Sequence, residues 1–386
     1  MTREIRVQGT VADGYEAVRE EFTDVLANEL PEYEGQLAAY VRGRRVVDLW
    51  VGPDVTAESL YGVYSSSKGA AHLVVALLVQ DGVLDLDRAV AAYWPEFAAE
   101  GKGAVTLREL LAHRAGVAGS DSGFSSEELA DDRAVAARLA SQRPFWRPGA
   151  AFGYHAFAIG ALAGEVVFRA TGRTLREVYE ERVRAPFGLD FFLGLPEEQE
   201  GRFRSVQPMA PTPEQAALLA AAPPQPQSLG SIAFNRHIPE PTDLEALPNS
   251  RLVRAEGPAS IGGVASARGL AGMYAAAVTG IGGREALLTA DTVTGFGQVQ
   301  SVGHDLVSGT VKAFAVGFQA TSVYVYPFLG AGTIGHSGAG GSQAFADPRS
   351  GLAYGYTRRR FAYPGGPAVE NERLVRAVHE AALGAG

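Results

Sequence analysis

The chain has 386 residues, of which 46% are hydrophobic and 20% are charged, so it has enough apolar material for a large folded core. Its 34 basic and 43 acidic residues give a net charge of −9, which argues against binding to nucleic-acid phosphates. The absence of cysteine excludes disulfides, thiolate metal sites and cysteine nucleophiles. The first ten residues contain no apolar signal-peptide core, and the apolar stretch 70–79 is too short to span a membrane. We therefore expect a cytoplasmic protein.

The N-terminal part of the chain predicts strands followed by helices. Residues 36–51 form two apolar runs around an Arg-Gly-Arg turn, which is typical of a pair of strands. From Ser66 to about Gln80 the leucines and valines have helical spacing, and Asp81-Gly82 marks the end of the helix. Helical patterns then recur at 106–113, 127–141, 155–171, 174–184 and 265–278.

Six prolines stand between Pro208 and Pro226, in a segment with few charges. Proline interrupts helices, so a helix is possible here only in the stretch 214–221 between two proline clusters. The segment is either a surface loop or a loop over the substrate cleft, because long ordered loops are often lids.

Near the C-terminus the pattern changes to short aromatic and β-branched runs bounded by glycine and proline. These runs predict antiparallel strands, and a final helix should follow them at 369–383. The predicted strands occupy 313–319, 322–328, 342–348 and 351–359.

Strands at both chain ends predict one sheet built from both ends. We expect an α/β (α+β) fold in a single unit, 1–386, with a central antiparallel sheet flanked by helices. The sheet region should cover about 20–64 and 310–386. A mostly helical region should cover about 70–305.

The most informative short string is YSSSKG at 64–69, which contains Ser-x-x-Lys with Ser65 and Lys68. Residues three apart share one face of a helix, so the lysine amine can approach the serine hydroxyl. A neutral lysine could accept the serine proton, and the N–H groups at the start of a helix suit a developing oxyanion. The alternative is structural, with an N-cap serine and a surface lysine.

Two further strings support the catalytic interpretation. They are PGAAFGYHA at 148–156, which contains Tyr154, and GHSGAGG at 335–341. With these motifs the sequence resembles the serine β-lactamase and penicillin-binding-protein superfamily. It is most similar to the class C β-lactamase-like family VIII carboxylesterases, and the strings at 107–117 and 146–149 support this. The resemblance implies a β-lactamase-like fold.

The resemblance also implies roles for individual residues. Ser65 matches the nucleophile that is acylated, and Lys68 matches the adjacent base. Tyr154 matches the tyrosine that moves a proton between the serine and the leaving group. The backbone N–H groups of Ser65 and Ala339 match the oxyanion hole.

The third motif and its surroundings match the family less closely. His336, Ser337 and Gly338 take the place of the Lys-Thr-Gly strand and are assigned, with Trp146, to substrate binding. Ala156 stands where β-lactamases have an asparagine that contacts the substrate amide. We expect His336 to be mostly neutral at pH 7 and to gain charge below about pH 6.5. These departures argue against hydrolysis of β-lactams but leave acyl transfer intact.

Other candidate residues compete with this assignment. The triplet 120–122, Ser-Asp-Ser, is an alternative to Tyr154 as the second motif, although its glycine flanks are typical of a polar turn. His113 is expected to pack or to form hydrogen bonds. His155 is expected on a helix with its side chain pointing away from the site. Among the histidines, this leaves His336 alone in the cleft, as a polar orienting group.

The sequence therefore predicts a serine hydrolase that cleaves small-molecule carboxylic esters through an acyl-enzyme on Ser65. The alternatives are an acyltransferase or cyclising thioesterase of similar fold, a D-amino-acid peptidase or weak β-lactamase, and a non-catalytic binding module. No motif implies a metal or an organic cofactor. The acyl chain, the acceptor and the oligomeric state stay open at this point.

Overall fold

A computed structural model describes residues 6–27, 33–221, 223 and 225–384. Eleven strands are present among the described residues: β1 Gln8–Val11, β2 Gly35–Val41, β3 Arg44–Val51, β4 Tyr61–Gly62, β5 Phe191–Phe192, β6 Val264–Ala265, β7 Ser301–His304, β8 Val311–Phe314, β9 Ile334–Ser337, β10 Gln343–Asp347 and β11 Leu352–Arg358.

The α-helices of the same residues are mostly in the middle of the chain. They are α1 Glu16–Ala27, α2 Ser67–Gln80, α3 Leu107–Leu111, α4 Ser126–Ala130, α5 Asp132–Ala140, α6 Ala158–Thr171, α7 Leu175–Tyr179, α8 Ala185–Phe187, α9 Pro213–Ala221, α10 Leu229–Ala233, α11 Arg251–Glu256, α12 Ala267–Val278, α13 Ala290–Phe296, α14 Thr321–Tyr324 and α15 Asn371–Gly384.

Six strands form one antiparallel sheet in the order β1-β3-β2-β11-β10-β9. β2 is central, and its Leu37 faces Leu49 of β3 on one side and Tyr356 of β11 on the other. The sheet thus joins strands from the two ends of the chain, in agreement with the antiparallel sheet that the sequence predicts. Two smaller sheets, β4-β6-β5 and β7-β8, lie outside it.

Alternation along β2 divides the core into two layers. Leu37 and Ala39 are in the apolar cluster that the sheet forms with α1 and α15, which includes Phe22 and Leu374. Ala38 points to the opposite face and packs against α12. Side chains of a strand alternate between faces, so this single strand contributes to both layers.

Helix α2 lies inside the helical part of the molecule. Every residue from Ser67 to Leu78 is buried, so other elements surround this helix on all sides. The helix contacts α6, α7, α13 and β9. Because β9 belongs to the main sheet, the start of α2 lies at the boundary between the sheet and the helices.

Two local predictions for the C-terminal part need correction. The run 322–328 was expected to be a strand, but it begins within α14, Thr321–Tyr324, and continues as a turn. Its apolar side chains alternate poorly between the two sides, because Tyr324 is exposed whereas Tyr326 is packed against Phe345. The run 313–319 supplies the end of β8 in the small β7-β8 hairpin, and its last residue, Gln319, forms an isolated antiparallel bridge to Gly335 of β9.

Among the described residues no helix is both long and apolar enough to cross a membrane. In the proline-rich segment the helix that the sequence allows is present as α9, Pro213–Ala221, and none of its residues is buried.

Candidate active site

Ser65 lies in a tight 3-10 turn, Tyr64–Ser66, that leads directly into α2. Tyr64 has a positive φ of 49°, an uncommon conformation for a non-glycine residue, and its buried ring packs edge-on against Phe361. Such strained conformations persist where the surrounding structure holds them, and they are frequent in functional sites.

The hydroxyl groups of the three consecutive serines have different environments. Ser66 Oγ lies 2.9 Å from Ser342 Oγ, and Ser67 Oγ donates a hydrogen bond to the Tyr64 carbonyl. Both residues are fully buried, whereas Ser65 is 9% exposed. The Ser65 hydroxyl instead contacts Lys68. Two serines therefore stabilise the turn, and the third is available for chemistry.

The Lys68 amine is fully buried and has three hydrogen-bond acceptors. Lys68 Nζ is 3.1 Å from Ser65 Oγ, 2.7 Å from the Ala156 carbonyl and 2.8 Å from the Ser260 carbonyl. Burial lowers the pKa of Lys68 well below its usual value, and the negative charge of Asp132 opposes this effect. A neutral amine keeps two N–H donors for the two carbonyls, so its lone pair would face Ser65.

Tyr154 lies beside the same hydroxyl, in an irregular segment that precedes α6. Burial raises the pKa of Tyr154, a hydrogen bond with the Ser65 side chain lowers it, and the charge of Asp305 raises it further. The net effect is an increase, so the phenol is protonated at neutral pH. Lys68 Nζ is 5.0 Å from the centre of the Tyr154 ring. Ser65, Lys68 and Tyr154 are thus together, as the sequence predicts.

The glycines around Ala339 let the backbone after β9 approach the serine turn closely. A Cβ on Gly338 would lie 2.2 Å from the Val63 carbonyl oxygen, and one on Gly340 would lie 2.5 Å from the Tyr64 ring. Within the described part of the chain the Ala339 N–H has no backbone or side-chain acceptor. This free donor is available beside the Ser65 turn.

His336 differs from its prediction. It is completely buried, its Nδ1–H donates to the Ser337 carbonyl at 2.8 Å, and its ring stacks on Tyr154 at 5.9 Å. Burial lowers the pKa of His336 well below 6.5, and the charge of Lys68 adds to the decrease. The expected gain of charge below about pH 6.5 is therefore wrong, because an imidazolium at this position would be desolvated.

The other residues assigned to substrate binding have defined positions. Ser337 uses its backbone N–H and its hydroxyl to donate to Gln319 Oε1, at 3.0 and 3.2 Å. Trp146 donates from Nε1 to the Ala151 carbonyl at 3.2 Å, and a Cβ on Gly153 would lie 2.8 Å from its ring. Trp146 therefore supports the segment that carries Tyr154.

The predicted helical position of His155 is wrong, whereas its side chain points away from Ser65 as expected. His155 precedes helix α6 and is buried in the irregular segment that also contains Tyr154. Its Nδ1–H donates to the Gly153 carbonyl at 2.7 Å, and its Nε2 accepts from the Val117 N–H at 3.1 Å. His113 Nδ1 in turn accepts the His155 backbone N–H at 3.1 Å. The two histidines fix the backbone on both sides of Tyr154, which agrees with the structural role expected for His113.

Ser120 does not take part in this constellation. Its hydroxyl lies 3.2 Å from Ser122 Oγ and 3.4 Å from an Arg138 nitrogen, and the described residues show no contact of it with Ser65 or Lys68. Tyr154 is therefore the better candidate for the second motif.

Sequence reasoning missed Asp132, Ser260 and Gln319. Ser260 and Gln319 occupy segments without a recognisable motif. Asp132 follows Asp131 at the start of a helix, where acidic residues are common for capping alone. Only the Asp-Asp pair itself could have drawn attention to this position.

Comparisons with known proteins agree with the geometry. The sequence profile of the Beta-lactamase family matches residues 26–379. The chain belongs to this family. It is 31% identical over 344 residues to the esterase/beta-lactamase LipL of Mycobacterium tuberculosis, covering 86% of this chain and 78% of LipL.

Solved structures resemble nearly the whole chain. EstA from Arthrobacter nitroguajacolicus Rue61a has a TM-score of 0.90 and 43% identity, with 98% of this chain and 99% of EstA covered. A family VIII carboxylesterase has a TM-score of 0.85 and 31% identity, with 98% of this chain and 100% of the carboxylesterase covered. The β-lactamase-like fold expected from the motifs is confirmed.

The neutral histidines around the site predict a pH-dependent stability. His72, on α2, has no hydrogen-bond partner for either ring nitrogen among the described residues, and burial lowers its pKa from 6.5 to about 3. Below pH 6.5 the unfolded chain gains a proton that the folded chain does not, so the free energy of unfolding falls as the pH decreases. In His72→Leu we expect this loss to be smaller by about 1 kcal/mol between about pH 6.5 and 5.5.

Urea unfolding of the wild type and His72→Leu at both pH values measures this difference, with equal m-values required in the two proteins. Parallel pH dependences of the two proteins would show that His72 takes up a proton in the folded state.

Proposed function

We propose that this member of the Beta-lactamase family is a serine hydrolase that cleaves small-molecule carboxylic esters through an acyl-enzyme on Ser65. The observation that carries the proposal is that one serine hydroxyl contacts both the buried Lys68 amine and the Tyr154 phenol. The names of LipL, an esterase/beta-lactamase, and of the family VIII carboxylesterase support ester hydrolysis.

In the acylation step, Ser65 Oγ attacks the carbonyl carbon of the ester and gives its proton to the neutral Lys68 amine. The carbonyl oxygen becomes an oxyanion and accepts hydrogen bonds from the Ser65 and Ala339 backbone N–H groups. When the C–O bond to the alcohol breaks, the Tyr154 hydroxyl donates its proton to the departing oxygen. Tyr154 then recovers a proton from Lys68, so Lys68 is neutral again.

Deacylation is the same sequence with water as the nucleophile. Water attacks the acyl carbon and transfers a proton to the Lys68–Tyr154 pair, and the pair returns a proton to Ser65 Oγ as the acyl bond breaks. Since one proton is shared between two close groups, the pH dependence belongs to the pair and not to either residue. The products are the carboxylic acid and free enzyme.

The site environment favours neutral substrates. Ala156 is buried and contributes only its carbonyl, to Lys68, so no side-chain amide holds the substrate at this position. His336 is neutral and buried where the family has a lysine. The Tyr154 ring stacks on Phe314 at 5.9 Å, which adds an apolar wall. A substrate carboxylate would thus be desolvated without a cation at the third motif.

We propose a cytoplasmic protein that forms one unit over 1–386, and that binds neither nucleic acid nor membranes. Ser337, Gly338 and Trp146 are proposed to line the substrate-binding region together with His336.

Ser65 should be the acylation site. Treatment with a fluorophosphonate should add a single label, located on the peptide that contains Ser65, because this hydroxyl alone contacts Lys68 among the three serines. Intact-mass analysis and peptide mapping measure the label. In Ser65→Ala the label should disappear while Ser66 and Ser67 remain, and persistent labelling would disprove the assignment.

Lys68 and Tyr154 should behave as one unit. Lys68→Ala and Tyr154→Phe should each reduce kcat by at least about 10²–10⁴-fold, the usual effect of removing a proton-transfer group. The double variant should be only slightly worse than either single variant, because each residue depends on the other. Ser120→Ala is the control and should keep nearly full activity. Equal damage from Ser120→Ala and Tyr154→Phe would reverse the choice of second motif.

Substrate choice should follow charge. We expect p-nitrophenyl butyrate to be hydrolysed at pH 7 and benzylpenicillin to be turned over poorly or not at all, because its carboxylate meets no cation at the third motif. Since His336 stays neutral, lowering the pH from 7 to about 6 should not increase acylation by penicillin. Comparison of kcat/KM for the two substrates tests this. Equal efficiencies at pH 7 would refute the expected preference.

A further inference from the structure

Two adjacent aspartates at the start of α5 have different partners. Asp131 caps the helix, with its Oδ1 accepting the backbone N–H groups of Arg133 at 2.9 Å and Ala134 at 3.2 Å. Asp132 makes a contact across the fold, with its Oδ2 accepting the Ala259 N–H at 2.8 Å. Capping therefore explains Asp131 but not the inward contact of Asp132.

Ala259 is followed by Ser260, which holds Lys68. The Ser260 carbonyl accepts from Lys68 Nζ at 2.8 Å, and the Ser260 hydroxyl accepts the Gly160 N–H at 2.7 Å. Gly160 lies in the first turn of α6, and a Cβ there would lie 2.4 Å from the Ser260 nitrogen. The segment 259–260 is thus fixed between α5, α6 and the lysine.

We propose that Asp132 is a positioning residue for Lys68. Asp132 acts on the lysine through the Ala259–Ser260 segment and through its own negative charge. The proposal rests on the function proposed above, in which the neutral Lys68 amine takes the Ser65 proton. The hydrogen bond to Ala259 sets the direction of the Ser260 carbonyl, and this carbonyl orients the amine. The charge of Asp132 limits how far burial favours the neutral form of Lys68.

Asp132 is the charged group that opposes the effect of burial on Lys68. Its negative charge raises the pKa of Lys68 against the effect of burial. Three nearby imidazoles, His72, His113 and His336, have their pKa values lowered by burial and by the Lys68 charge, so they are neutral at pH 7.

Asp132 itself is mostly ionised at pH 7. Burial raises its pKa to about 6, against the lowering effects of the Ala259 hydrogen bond and the Lys68 charge, and the like charge of Asp131 adds to the increase. The neighbouring Arg133 does not neutralise it, because that guanidinium pairs with Glu165 at 3.3 Å and covers the Phe168 ring at 3.9 Å.

Asp132→Asn separates charge from shape, because the amide oxygen can still accept the Ala259 N–H. Without the negative charge Lys68 holds its proton less tightly, so the acidic limb of the kcat/KM profile for p-nitrophenyl butyrate should move to lower pH, by about 0.5 pH unit or more. Asp132→Ala also loses the acceptor, and its plateau kcat should fall about 10-fold or more, because the amine is misplaced.

Asp131→Asn is the matched control, since it changes the adjacent carboxylate and keeps a good cap. Its acidic limb should not move to lower pH, because Asp132 keeps its negative charge.

The rate of fluorophosphonate labelling of Ser65 against pH gives a second readout that does not need turnover, and thermal unfolding checks that each variant is folded. An Asp132→Asn profile that superimposes on the wild type, or an equal shift in Asp131→Asn, would overturn the role of Asp132. Failure of the wild type to label at Ser65 would overturn the proposed function instead, so the two failures are distinguishable.

Discussion

The buried amine of Lys68 is the constraint on which the arrangement of the site depends. An amine removed from water is costly unless its N–H groups find acceptors, and the effective penalty for a buried charge is several kcal/mol. Lys68 meets this requirement with two backbone carbonyls, Ala156 and Ser260, and with Ser65 Oγ. Two other segments of the chain must therefore pass the start of α2 with a carbonyl group directed at the Lys68 amine.

The second of these passes, 258–263, connects the parts of the site. Ser260 contacts Lys68 and α6, and at the end of the segment the Gly263 N–H donates to Ser67 Oγ at 2.8 Å. The Gly263 carbonyl accepts the Val63 N–H at 2.9 Å. One short segment thus supports the nucleophile turn from both ends. A substitution in this segment would therefore alter the position of Ser65, although the segment contributes no side chain to the proposed reaction.

Local patterns predicted the main features of the fold and part of the site. The pair of strands at 36–51, the helix after Ser65 and the final helix all follow from periodicity, and the structure contains them. Features that depend on contacts between distant segments could not be predicted from the sequence. The burial that keeps His336 neutral and the carbonyl that orients Lys68 come from segments far apart in the chain. A sequence motif specifies residue types, whereas the protonation state depends on what packs around them.

The position of β9 in the chain has a consequence for biosynthesis. Ser65 is near the N-terminal end, but the proposed oxyanion donor at Ala339 follows β9, which joins the sheet through β10 and β11. A ribosome produces chains from the N-terminus, so a nascent polypeptide has its serine and lysine long before the donor exists. Chains that end before Ala339 would therefore lack this donor, and the full reactivity proposed for Ser65 would arise only after this residue has been synthesised.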